Sequence, residues 1–235
     1  MRRETQNVLL VLLGGAVLKI AMNGQYTNYV KPSLQPWLII AGAATIVLAV
    51  VGIVRDIRAG GPTGGHGHDH GSRSPWLLLL PALAIFLVAP PALGADKVAR
   101  SGTVAAQPAP SGAEFVALPD GDAPLLRMGD AVTRAVWDDS GTLDDREIRL
   151  IGFVARAEDG SVQLARFAIG CCAADATPIK VGLAGSGLDS YESDTWLEAR
   201  GKIISGSASE ANGYVPTFQV ASVDVVPAPP DPYES

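Results

Sequence analysis

EIRLIGFVARAEDGSVQLARFAIG, from Glu147 to Gly170, holds two runs rich in Val, Ile, Phe and Leu on either side of a Glu-Asp-Gly break. Runs of this length bounded by turn residues read as strands. Three more follow: ATPIKVGLA (176–184), TWLEARGKIIS (195–205) and PTFQVASVDVVP (216–227). In the fourth strand Leu197, Ala199 and Ile203 interleave with Trp196, Glu198, Arg200 and Lys202, the alternation of a half-buried strand, and Gly201 breaks the pattern where a bulge is expected. Ahead of the strands, LRMGDAVTRAVWD (126–138) places Leu126, Val132, Ala135 and Val136 at roughly helical spacing after Pro124. Five short strands with turns between them predict a small all-β domain, an OB-like five-stranded barrel with a short helix, or else a two-sheet sandwich.

Working back toward the N-terminus, the chain changes character. It is 48% hydrophobic and 18% charged over 235 residues, but the charge is unevenly spread. Residues 7–22 carry one charge, and 37–54 and 76–94 carry none. Apolar runs of about 20 residues are what a helix needs to cross the hydrocarbon layer of a bilayer. Residues 1–94 are therefore read as a membrane α-helical region with three helices, the third bent by Pro81, Pro90 and Pro91. Tyr26, Tyr29, Trp37 and Trp76 are placed like interfacial anchors.

Arg2 and Arg3 precede the first apolar run, and Arg55, Arg58 and Arg73 lie between the second and third, whereas the first loop has only Lys31. The excess of basic residues sets the cytoplasmic side, so the expected protein is a multi-pass membrane protein. Its N-terminus is then cytoplasmic and its C-terminal part extracytoplasmic. Residues 59–74, AGGPTGGHGHDHGSRS, form a His/Gly-rich cytoplasmic loop, residues 95–114 a Pro/Ala/Gly linker, and residues 115–235 the exported domain. Residues 95–235 hold eleven Lys and Arg against twenty-one Asp and Glu. That acidic surface repels phosphate backbones, which argues against nucleic acid as a partner.

Beyond these strands, IRLIGFV (148–154), RFAIGCCAADATP (166–178), WLEARGKI (196–203) and PPDPY (229–233) together resemble the pattern of the YcgQ-like family of bacterial permease subunits. The resemblance implies membrane helices followed by a soluble domain, and a separate multi-span permease subunit as partner. It implies a place in the bacterial cell membrane and the role of an accessory subunit in a transport system for a metal ion or small solute.

Both cysteines of the chain are adjacent, Cys171 and Cys172, at the end of a strand. Outside the cytoplasm such a pair has three readings. With Asp175 it can supply ligands to a thiolate-bound metal such as zinc. As a strained vicinal disulfide it can act in redox exchange without a permease. Or one thiol is packed and the other free. Asp175 taken alone reads as a turn or capping residue. All three histidines, His66, His68 and His70, lie in the predicted cytoplasmic loop, where they form a weak chelating tract or plain linker. The exported part has no histidine to act as general base and no Gly-rich phosphate loop, so no catalytic or cofactor-binding residue is assigned and an enzyme is not expected. Arg166 and Glu198 are expected to form a surface ion pair.

Overall fold

The computed structural model describes residues 3–58, 83, 87–88, 90–101 and 115–234. The chain divides into two compact units, Met1–Pro91 and Ala92–Ser235.

In the first unit, helix α1 (Arg3–Met22) and helix α2 (Gln35–Arg58) pack side by side. Asn7 donates to Asp56 at 3.3 Å, and Gln35 donates to the carbonyl of Ala21 at 3.0 Å, so the helices run antiparallel. Small residues set how closely they approach. A Cβ added at Gly14 would stand 2.8 Å from Ile46, and one at Gly42 2.9 Å from Leu18. Glycine at facing positions is what lets two apolar helices make backbone contact. The outward side chains Trp37, Ile40, Val47, Leu48 and Ile57 are exposed.

Among the described residues one helical stretch, Pro32–Arg58, is long and apolar enough to cross a membrane, with a mean hydropathy of 2.6. Gln6–Met22 is apolar but shorter. Of the three expected spans, the second therefore stands at full length, and the apolar part of the first is shorter. Eleven of the nineteen residues of the third run, 76–94, lie outside the described residues, as do His66, His68, His70 and the whole loop 59–74.

The second unit carries a six-stranded mixed sheet. Its strands are β1 (Ile148–Arg156), β2 (Val162–Ala168), β3 (Thr177–Ala184), β4 (Trp196–Ile203), β5 (Thr217–Val225) and β6 (Tyr233–Glu234). Their order is β1-β4-β5-β3-β2-β6, and β1 also pairs antiparallel with β2. The β3–β5 and β2–β6 pairings are parallel, and the others are antiparallel. Helix α4 (Met128–Trp137) and the short helix α3 (Ala95–Arg100) pack on this sheet. The first lies within the segment whose spacing predicted a helix. The second lies in residues assigned by sequence to the linker, where a Pro/Ala/Gly composition hides one apolar anchor, Val98, 4% exposed.

Two apolar clusters hold the unit together. Leu150, Val154, Leu164, Val181, Leu197 and Phe218 come from five strands, and Met128 and Ala131 of α4 join them. On β4 the alternation forecast by sequence is complete, with Leu197, Ala199, Gly201 and Ile203 buried and the residues between them half-exposed. The register between β4 and β5 shifts at Arg200/Gly201, where Ala221 of β5 has no opposite number. A second cluster joins Phe153, Phe167, Ile169 and Tyr233 to Val98. Its rings meet edge-on or offset at 5.6 to 6.5 Å between centroids, distances at which aromatic pairs attract beyond their area burial.

Candidate dithiol site

Strand β2 ends at Ala168, and its neighbour β6 holds the next residue through a bond from the Ile169 N–H to the Glu234 carbonyl at 2.9 Å. The chain then turns through Gly170, Cys171 and Cys172 into a single 3-10 turn, Ala173–Asp175, before β3 begins at Thr177. Ala173 and Ala176 pack against the second apolar cluster, so the turn rests on the domain through its small side chains, with Cys171 exposed and Cys172 half-buried.

Sulfurs on consecutive residues of a regular strand would point to opposite faces. Here the turn brings Cys171 Sγ and Cys172 Sγ to 3.6 Å, both as free thiols. Asp175 organises the turn. Its Oδ1 accepts from the Gly170 N–H at 2.9 Å, and its Oδ2 accepts from the N–H groups of Cys171 at 2.8 Å and Cys172 at 3.4 Å. The Cys172 side chain reciprocates by accepting the Asp175 N–H, a capping box with sulfur in place of the usual hydroxyl. One ligating atom from each of Cys171, Cys172 and Asp175 lies within 4.8 Å of the others.

Electrostatics follow from these bonds. Hydrogen bonding from the Cys171 side chain and from the three backbone N–H groups holds the Asp175 carboxyl down at about 2. The same carboxylate, first through its hydrogen bond with the thiol, pushes Cys171 up to about 11. Since a depressed carboxyl contributes order above its unfolded value and loses it as pH falls through the folded one, the turn is expected to keep its hydrogen bonds at pH 4 and lose them toward pH 2. Carboxyl titration of Asp175 by NMR checks this, and an ordinary midpoint near the reference value of about 3.9 would refute it.

Removing the carboxylate has an opposite effect on the thiol. With Asp175→Asn, Cys171 is expected to titrate nearer the usual thiol range, and its alkylation rate at pH 8 should rise about tenfold. A gain of about 100-fold in thiolate is offset in part by the lower nucleophilicity of a more acidic thiol. An unchanged rate would mean the hydrogen bond does not govern reactivity.

The sulfur spacing limits what can be bound. Two sulfurs about 2.3 Å from a common tetrahedral centre stand about 3.8 Å apart, and a linear centre would need about 4.6 Å. The observed 3.6 Å suits a bent, chelating geometry at one centre.

A cavity of about 310 Å³ on the same unit is lined by Leu125, Ile151, Arg166, Asp231, Tyr233 and Glu234, among others. Most of its polar groups are tied into the fold, although Arg166 Nε is buried without a hydrogen-bond partner. Glu234, 6% exposed, accepts from the N–H groups of Met128 at 2.7 Å and Gly129 at 2.8 Å, the start of α4. Arg166 donates to the carbonyls of Asp231 at 2.8 Å and Tyr233 at 3.4 Å and lies 5.5 Å over the ring of Trp196, and burial lowers its pKa. The expected Arg166–Glu198 pair does not form. Glu198 instead meets Arg149 at 2.7 Å, because β4 pairs with β1 rather than with β2. No sequence pattern flags Glu234, whose partners stand more than a hundred positions upstream in the chain.

Residues 5–106 of the chain match the DUF1980 N-terminal domain, and residues 131–234 match the DUF1980 C-terminal domain. Neither the curated proteins nor the solved structures give a match.

Proposed function

Starting from a chain that carries both domains of the DUF1980 family, we propose that it is a membrane-anchored accessory subunit whose C-terminal domain captures a small thiophilic ion or molecule through Cys171 and Cys172. The observation that carries this reading is the pair of free sulfurs 3.6 Å apart on an outward-facing turn that Asp175 holds in shape. Buried packing does not account for it, since Cys171 is exposed.

In this reading the apolar helices anchor the chain in the bacterial cell membrane as a multi-pass protein, with residues 92–235 on the extracytoplasmic side. The exposed apolar residues of α2 support the anchor. Pairing that runs β1-β4-β5-β3-β2 and returns to β1 supports an OB-like barrel for the domain. The partner is a multi-span permease, as the family resemblance implies, and the dithiol turn presents its guest to that permease. No chemical turnover is assigned to the chain.

A second reading draws on the same sulfur proximity: exchange with a dithiol–disulfide partner of the envelope, in which two thiols are oxidised as the partner's disulfide is reduced. The two separate in one experiment. The full chain, purified reduced in detergent, is expected to bind about one thiophilic guest per chain, and Cys171→Ser/Cys172→Ser none. Copurification with the coexpressed permease tests the partnership. Retention of nothing, together with a reversible two-electron oxidation, would favour the exchange reading.

A further inference from the structure

Among the described residues the turn offers two sulfurs but no third ligand that is free of other bonds. Both oxygens of Asp175 are engaged by the N–H groups of Gly170, Cys171 and Cys172. The sequence from residue 95 onward contains no histidine, and its one methionine, Met128, is 1% exposed in the core. A divalent cation such as Zn(II) wants four donors, so it would be half-coordinated here.

A guest that needs only two sulfurs and adopts a bent geometry fits better. From the 3.6 Å spacing of the Cys171 and Cys172 sulfurs and the engaged state of Asp175, we infer that the guest class is a neutral trivalent metalloid hydroxide, of which arsenous acid is the simplest member. This inference rests on the reading of the pair as a capture site and names its ligand.

The binding step is a condensation with no change of oxidation state. As(OH)3 meets two thiols, two As–O bonds break, two As–S bonds form, and each departing hydroxide leaves as water with one thiol proton. One As–OH remains. A neutral guest is also indifferent to the excess of ten negative charges on residues 95–235, a field that disfavours oxyanions.

The test uses the full chain in detergent, reduced, with arsenous acid and with Zn(II) as separate probes. Intact mass should show one arsenic bridging per chain, with both thiols protected from iodoacetamide. Cys171→Ser and Cys172→Ser should each weaken binding at least 100-fold, since either leaves a single As–S bond. Affinity for arsenous acid should change less than threefold between pH 6 and 7, because no net proton is released. Zn(II) affinity, by contrast, should rise toward 100-fold over that unit if two thiol protons are lost.

Zn(II) bound tightly with that pH dependence, and no arsenic adduct, would overturn the metalloid inference and leave the capture reading standing. An arsenic adduct of equal strength on the single-serine variants would also overturn it. If neither probe binds although both thiols react with iodoacetamide, the capture reading falls as well. Reversible methylthiolation of the native thiols repeats the comparison without mutation, so a folding defect in a variant cannot decide the result.

Discussion

Gly201→Ala is expected to destabilise the Ala92–Ser235 unit by about 3 kcal/mol. A Cβ at this position would stand 3.0 Å from Phe218 and closer still to the carbonyl oxygen of Gln219. Both neighbours are fixed: the carbonyl belongs to the paired strand β5, and Phe218 is fully buried in the main apolar cluster. The added methyl therefore cannot be accommodated by a rotamer change, and β4 and β5 must separate where the bulge at Ala221 already weakens the ladder. For a unit of this size the loss corresponds to a fall of about 10 °C in Tm. Thermal unfolding of the full chain, followed by the fluorescence of Trp196 and Trp137, measures it. A change within 2 °C would show that the strands can part there at little cost. The same substitution at the exposed Gly160, with φ of 83°, strains only a surface turn and serves as the mild comparison.

Glu234→Ala is the second large effect, expected at about 3 kcal/mol. The carboxylate gives one oxygen to each of two backbone N–H groups at the start of α4, bonds of the charge-assisted kind, and sits where the helix dipole favours negative charge. Its loss leaves the Met128 N–H without its acceptor in a buried setting, which carries the full desolvation penalty. Glu234→Gln keeps an acceptor oxygen but not the charge, and should lose about half as much. Chemical denaturation of the three proteins orders them, and equal stability of the alanine and glutamine variants would mean the charge contributes nothing.

These two positions also show where sequence reading succeeds and stops. Gly201 stood out in a strand whose alternation was otherwise plain, since side chains that alternate between core and surface leave a period of two that a glycine interrupts visibly. The five main strands and α4 were legible for the same reason: burial on one face imposes a periodicity on residue type. Glu234 was not legible, because two-residue strand β6 has no period to detect and its partners come from a helix start far upstream. Arg166 was assigned the wrong neighbour, since side-chain pairing depends on which strands lie adjacent, and order in a sheet leaves no trace in any single strand. Helix α3 was hidden inside a spacer-like composition with Val98 as its one anchor.

For the site, the adjacency of Cys171 and Cys172 and the capping tendency of Asp175 were readable from residue type and spacing. What the sequence could not supply was direction. Two thiols on consecutive residues converge only because the strand stops between Ala168 and Cys171, and that stop is enforced by the Glu234 carbonyl and the N–H groups closing on Asp175.

The Leu93 N–H donates to the Tyr233 hydroxyl at 2.9 Å, so the entrance of the C-terminal unit and its last strand lie against each other. A domain whose ends meet is topologically a ring cut at one point, and the place of the cut is a matter of history rather than of stability. A circular permutant that joins the region after Tyr233 to Ala92 through a short linker and opens at Gly160 would keep every strand pairing. It would also free the dithiol turn from any membrane anchor, and so provide a soluble carrier of the same two sulfurs.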